Sequence, residues 1–286
     1  MGKVFLFSYF KGHGDGLHLA WSNDGFHWTP VQDDRPLITG QTGPEKLMRD
    51  PFLFPASDGR FHLVWTAGWH GKGIGYASSS DLIRWSPQQF LPVMEHEPRT
   101  RNCWAPEIFF DARNKQYVVY WASSVPGRFP ETDHMGDDGL NHRMYCVITP
   151  DFKSFGETRL FYDGGFNVID ATVVKDEARY IMFMKDETLH PCQKNIRFAT
   201  SDSLYGRFDN ISPSISGPDW AEGPTAIKIS GQWIVYFDKY KLNEIGAVCS
   251  SDLNVWKDIS DKLHFPAGAQ HGSVAEVPAE RIQHLL

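Results

Sequence analysis

Apolar, aromatic-rich runs recur along the chain, and a short acidic turn follows each one. The runs occupy residues 4–10, 61–66, 117–121, 180–184 and 233–237. Their β-branched and aromatic content is that of strands packed on a buried, pleated surface. The turns have the form Asp-x-x-x-Trp/Phe: Asp24 to Trp28, Asp81 to Trp85, Asp151 to Phe155, a stretched Asp202 to Phe208, and Asp252 to Trp256. They lie 57, 70, 51 and 50 residues apart, a period at which radial repeats are built. Short segments with a polar residue precede the later runs or follow the last turn: Asp50-Pro51-Phe52, Ala105-Pro106-Glu107, Asp170-Ala171-Thr172, Glu222-Gly223-Pro224 and His271-Gly272-Ser273. One repeat therefore predicts an inner strand, an apolar second strand, a third strand, an Asp turn and an outer strand ending near the aromatic residue. That is the four-stranded blade of a propeller. No window longer than about ten residues holds a helical period. The expected fold is an all-β, five-bladed β-propeller.

The two ends predict how the ring closes. The chain opens on a second strand, residues 4–10, and closes on an inner strand, residues 272–277. The N- and C-terminal segments must pair to complete one blade, which removes edges that would invite aggregation.

Composition limits the rest. A chain of 286 residues suits one all-β domain, and no Pro/Gly/Ser-rich linker divides it, so a single propeller over residues 1–286 is expected. A net charge of −7 argues against nucleic acid or an anionic membrane as partner. No apolar stretch is long enough to span a bilayer. Without a basic, apolar-cored leader the chain reads as cytoplasmic, or as secreted if a leader peptide has been removed. Cys103, Cys146, Cys192 and Cys249 lack metal-ligand spacing and read as free thiols. Nothing signals oligomerisation, so a monomer is the default.

Candidate chemistry lies at the inner strands, which run the same way along a propeller channel. Phasing the repeats places Asp50, Glu107 or its neighbour Trp104, Asp170, Glu222 and His271 around one mouth. An Asp before Pro is a common turn residue, so one such position carries little weight. A phased set of acids and a His is costly for structure alone, because like charges and desolvation both disfavour the charged carboxylate.

The segments Met48-Arg49-Asp50-Pro51-Phe52, Trp104-Ala105-Pro106-Glu107, Val168-Ile169-Asp170-Ala171, Ala221-Glu222-Gly223-Pro224 and Gln270-His271-Gly272-Ser273-Val274 resemble the successive blade motifs of glycoside hydrolase family 43. The resemblance covers nearly the whole chain, in the family's order. It implies an enzyme that inverts configuration at an exposed sugar of plant polysaccharides. It implies Asp50 as general base, Glu222 as general acid and Asp170 as the residue that tunes and orients the acid. An inverting glycosidase holds its two carboxyls roughly 6.5–9.5 Å apart, leaving room for water. Asp50 must be ionised, which Arg49 or solvent would favour, and Glu222 must hold its proton near neutrality.

The resemblance also implies that Arg197 reaches sugar hydroxyls, and Trp104 is expected to wall the sugar. Arg49 joins them as a substrate-binding residue. His271 resembles a channel histidine that lies near a water-coordinated cation, so a structural calcium ion in the central channel is expected at most. No cofactor is required. A polar insertion between Ser124 and Met144 would overhang one mouth, and over the catalytic one it would favour exo action. The invertase-like fructan hydrolases also use Arg-Asp-Pro, but their Asn-Asp-Pro-Asn-Gly segment has no counterpart between Tyr9 and Asp24. The expected activity is exo-acting removal of a terminal pentose from cell-wall oligosaccharide or polysaccharide, first as an α-L-arabinofuranosidase. A β-D-xylosidase or a β-galactosidase or galactofuranosidase is the alternative within that class. A non-catalytic carbohydrate-binding propeller is the alternative outside it.

Overall fold

The computed structural model describes residues 2–286. Blade I holds β1 (Lys3–Phe10), β2 (His18–Ser22) and β3 (Thr29–Pro30). Blade II holds β4 (Arg49–Pro55), β5 (Phe61–Thr66), β6 (Ile74–Ser79) and β7 (Gln89–Leu91). Blade III holds β8 (Trp104–Asp111), β9 (Gln116–Ser124), β10 (His142–Thr149) and β11 (Arg159–Tyr162). Blade IV holds β12 (Val168–Asp176), β13 (Arg179–Asp186) and β14 (Asn195–Ser201), and blade V β15 (Glu222–Ile229), β16 (Gln232–Lys239), β17 (Glu244–Ser250) and β18 (Lys257–Asp258). The last strand, β19 (Gln270–Pro278), pairs antiparallel with β1 and completes blade I, as the register of the ends predicts. Only short 3₁₀ turns interrupt the strands among the described residues.

The Asp turns join third to outer strands. Asp24, Asp81, Asp151 and Asp252 each accept two backbone N–H groups, two and three residues on. A hydroxyl two residues earlier (Ser22, Ser79, Thr149 or Ser250) accepts further amides of the turn. The aromatic residue sits before the outer strand rather than at its end: Trp28 precedes β3 and Trp256 precedes β18. The stretched turn at Asp202 departs from this pattern, and blade IV accordingly has only a bridge, Thr200 to Asp209, where the others have an outer strand.

Five apolar clusters fill the spaces between successive blades. The inner strands present backbone edges toward one another, and buried amides there need acceptors. Each blade supplies one by a side chain to the next. Leu53 N–H donates to Ser273 Oγ, Ala105 N–H to Thr66 Oγ1, Val173 N–H to the Tyr120 hydroxyl, Gly223 N–H to Asp170 Oδ2 and Val274 N–H to Thr225 Oγ1. The circle is closed polar group by polar group. Where β19 meets β1 the backbones approach closely: a Cβ on Gly272 would sit 1.7 Å from the Ser8 carbonyl oxygen, so only glycine fits. The four cysteines are free thiols.

Candidate active site

Every inner strand begins with a bulge, and the bulges shape one mouth of the channel. Arg49 pairs with Thr66 and Phe52 with Val64, so Asp50 and Pro51 together oppose Trp65. The same offset sets Ala105-Pro106 against Trp121, Asp170-Ala171 against Met184, Gly223-Pro224 against Phe237 and His271-Gly272 against Tyr9. The first bulge residue is left-handed in four of them: Asp50 (φ +50°), Ala105 (+45°), Asp170 (+52°) and Gly223 (+58°). Such a bulge re-aims its side chain relative to the strand. The equivalent positions are thus Asp50, Ala105, Asp170, Gly223 and His271. Phasing the sequence puts Glu222 and Glu107 or Trp104 in that ring, but pairing places Glu222 and Trp104 one residue earlier and Glu107 two residues deeper.

The structure brings Asp50, Asp170, Glu222 and His271 together. His271 Nδ1 lies 3.3 Å from Asp50 Oδ1 and 3.9 Å from Asp170 Oδ2, so one imidazole faces both aspartates. Burial pushes this ring toward neutrality, but Asp50, Asp170, Glu222 and Asp238 outweigh it and raise its pKa above the ordinary histidine value. The other Asp50 oxygen accepts the Thr66 hydroxyl at 2.6 Å. Asp170 accepts the Gly223 N–H at 3.1 Å, which ties it to the residue after Glu222. Burial, with Glu222 and Asp50 adding, pushes Asp170 up to about 6, against His271 and Lys185. Glu222 Oε2 accepts Lys185 Nζ at 2.9 Å, and among the described residues Oε1 takes no hydrogen bond.

Three residues of this site had no place in the sequence reading: Lys185, Glu187 and Asp238. Lys185 and Asp238 end the apolar runs, one residue past the boundary the pattern draws, because β13 and β16 run on into polar residues at the mouth. A charged residue closing an otherwise apolar strand is the signal that marks them. Burial, with Glu222 adding, pushes Asp238 up to about 7, and its Oδ2 accepts the His271 N–H at 3.2 Å.

The other expected residues lie around this centre. Arg49 does not touch Asp50; its guanidinium lies between the rings of Phe10 (4.3 Å) and Trp69 (4.6 Å). His271 and Thr66, rather than Arg49, are the side chains that meet the Asp50 oxygens. Trp104 packs edge-on to Trp69 and against His142, and its indole N–H donates to the Trp69 carbonyl at 3.1 Å. Trp69 is 41% exposed, so these two indoles form an open aromatic wall. Arg197 pairs with Asp186 at 3.1 Å and donates to Gln193, apart from the central carboxyls. Glu107 is buried below, accepting the Tyr120 hydroxyl at 2.8 Å. The donor set around His271 does not fit a directly bound calcium ion: no three His, Cys, Asp or Glu among the described residues are placed to hold a metal. Calcium takes six to eight oxygen ligands, which an imidazole does not supply.

The insertion joins β9 to β10, and Ala122 near the end of β9 pairs with Trp104 at the start of β8. It therefore stands at the carboxyl-bearing mouth. It is firmly held. Arg143, fully buried, pairs with Asp163, donates to Asn141, the His142 carbonyl and Thr132, and lies under the Phe129 ring. Leu189 N–H donates to the Met135 carbonyl at 2.7 Å, fastening the insertion to blade IV.

Comparison with known proteins bears on this arrangement. A family model described as a probable glycosyl hydrolase domain, related to family 43, matches residues 2–283. An alpha-L-arabinofuranosidase of Bifidobacterium longum subsp. longum is 25% identical over 203 residues, 62% of this chain; the chain spans 19% of that curated relative. The crystal structure of an alpha-L-arabinofuranosidase from Lactobacillus brevis shares the fold at a TM-score of 0.59 and 18% identity, over 80% of this chain and 74% of that one. A thermostable family-43 glycoside hydrolase matches with a TM-score of 0.59 at 18% identity, over 82% of this chain and 79% of that one.

Proposed function

The chain belongs to the family-43-related glycosyl hydrolases, and from that premise we propose that it is an exo-acting, inverting glycoside hydrolase that removes a terminal α-L-arabinofuranosyl residue from cell-wall oligosaccharide. The observation that carries this reading is the meeting of Asp50, Asp170 and Glu222, from three blades, at one mouth of the channel. His271 joins the first two, and the Gly223 amide joins the second to the third.

In this mechanism Asp50 is the base. Thr66 and the His271 ring hold it oriented, and it takes a proton from a water that attacks the anomeric carbon. Glu222 is the acid. Its Oε1–H bond breaks as an O–H bond forms on the departing glycosidic oxygen, and the electron pair remains on the carboxylate beside Lys185. Asp170 fixes the backbone next to the acid through the Gly223 N–H. Inversion requires room for that water between base and sugar. The Trp69–Trp104 wall offers an apolar face to a sugar ring. The anchored insertion narrows the mouth, which supports action on chain ends, and the name of the curated relative supports arabinofuranose as the sugar.

Glu222→Gln tests the assignment. Turnover of arabino-oligosaccharides should fall on the order of 10²- to 10⁴-fold, with a far smaller loss on an aryl arabinofuranoside, whose leaving group needs little protonation. Equal losses on both would remove Glu222 as the acid. Release from an aryl xyloside or galactoside instead would keep the chemistry and change the sugar. A well-folded protein silent on every glycoside would point to a binding propeller.

A further inference from the structure

Lys185 is 2% exposed, yet its ammonium sits between two carboxylates, 2.9 Å from Glu222 Oε2 and 2.6 Å from Glu187 Oε2, and faces the Tyr240 ring at 4.6 Å. A buried lysine is rare unless paired. Here the pairing continues outward. Glu187 also binds Lys194, which is buried as well, lies 5.7 Å from the centre of the Trp220 ring and reaches Asp137 of the insertion at 3.9 Å. The row Glu222–Lys185–Glu187–Lys194–Asp137 alternates in sign from the central carboxyl to the structure overhanging the mouth.

We propose that Lys185 is a positioning residue for Glu222, held by Glu187 and Lys194 so that one oxygen of the acid is fixed and the other faces the sugar. This rests on Glu222 being the acid. Lys185 occupies Oε2, so Oε1 is the oxygen left to carry the transferred proton. The charges also balance. When Glu222 is protonated, Lys185, Glu187, Lys194 and Asp137 cancel, so the neutral acid leaves no buried lysine uncompensated. When the proton departs, the new carboxylate already has an ammonium in contact. Burial alone would push the lysine toward neutrality, but Glu222, Glu187 and Asp170 outweigh it and hold it charged.

The test compares Lys185→Met, Lys185→Arg and Glu222→Gln on an arabino-oligosaccharide and on a dinitrophenyl arabinofuranoside, with full pH profiles. Lys185→Met should lose on the order of 10²-fold on the oligosaccharide and at least about tenfold less on the aryl substrate. Its alkaline limb should move to higher pH, because the cation that favours the carboxylate is gone. Lys185→Arg should recover most of the loss. Glu187→Gln leaves Lys185 to Glu222 alone and should move the alkaline limb the other way, so it decides the matter even if Lys185→Met does not fold. A purely structural lysine would scale both substrates by one factor and leave the pH limbs in place, and that result overturns the proposal. If Glu222→Gln shows the selective loss while the lysine variants do not, only the positioning role falls. If Glu222→Gln retains full oligosaccharide activity, or the unmodified protein is silent on every glycoside, the acid assignment falls and the positioning role with it.

Discussion

Glu107 offers a test in which removing a buried ionisable group strengthens the protein. It is 6% exposed on β8, below the mouth, with Tyr120 donating to Oε2. Burial pushes its carboxyl from 4.5 up to about 8; the Thr172 and Tyr120 hydrogen bonds and His271 oppose the rise, and Asp170 adds to it. Between about pH 5 and 8 the folded protein therefore keeps a proton that the unfolded chain has lost, and stability falls as pH rises through that window. At about 1.4 kcal/mol per pKa unit, this one group costs roughly 3 kcal/mol between pH 5 and 8. Glu107→Gln keeps the shape and an acceptor for Tyr120 but cannot ionise. It should match the parent protein to within about 1 kcal/mol at pH 5 and exceed it by roughly 2–3 kcal/mol at pH 8. Urea unfolding at pH 5, 6, 7 and 8 measures this directly. Asp170 and Asp238, pushed up to about 6 and about 7, act with the same sign, so the variant keeps a shallower decline ending lower in pH. Parallel stability curves for the two proteins would refute the reasoning, because they would mean that Glu107 carries the same charge folded and unfolded.

Two further perturbations probe the scaffold. Gly223→Ala places a Cβ 2.4 Å from the His271 ring at a residue with φ +58°; it should cost upwards of about 2 kcal/mol in urea unfolding and lower activity on aryl and natural substrates alike, while a variant as stable and active as its parent would mean the ring is not held where it lies. Ending the chain after His271 deletes most of β19, the partner of β1 and the source of Ser273 and Val274 at two blade interfaces; the product should lose the cooperative unfolding transition in circular dichroism, and a folded protein with a merely lower midpoint would show that the ring does not depend on this closure.

Blade number and the closing strand were legible because they follow from local chemistry. The Asp turns recur as hydrogen-bonded caps, and Asp24 and Asp81 are held well below the usual carboxylate range: at Asp24 desolvation is the largest single effect but the His27, Phe26 and Ser22 hydrogen bonds together outweigh it, and at Asp81 the Arg84 and Ile83 backbone N–H donors lead. The apolar second strands showed as aromatic runs whose cores coincide with the observed β5, β9, β13 and β16. What escaped was whatever depends on pairing between segments. A bulge is defined by two residues facing one on a neighbouring strand, and nothing within Glu222-Gly223-Pro224 says that Gly223, not Glu222, stands level with Asp50. Lys185 and Asp238 escaped for a related reason. Their partners in the central site, Glu222 and His271, lie 37 and 33 residues away, so the sequence shows only polar residues at strand ends.

The bulge register in turn explains why the proposed acid is a glutamate set one residue back, where the other two carboxyls are aspartates in the bulge itself. Aspartate tolerates the left-handed backbone better than most residues, so Asp50 and Asp170 can occupy the bulge and be turned into the channel. The fifth equivalent position is His271, whose ring must lie between those two carboxyls to join them. That ring fills the space where a side chain at position 223 would go. Blade V therefore has glycine at the bulge, and its carboxyl comes from residue 222, level with Arg49 and Trp104 at the outer rim. Its Oε2 is met there by Lys185 from blade IV, the blade that also contributes Asp170. From that rim an acid can approach the leaving oxygen while the base works deeper in the channel. The offset of one residue between the two carboxyl levels is the feature that distinguishes an acid–base pair from a symmetric ring of acids.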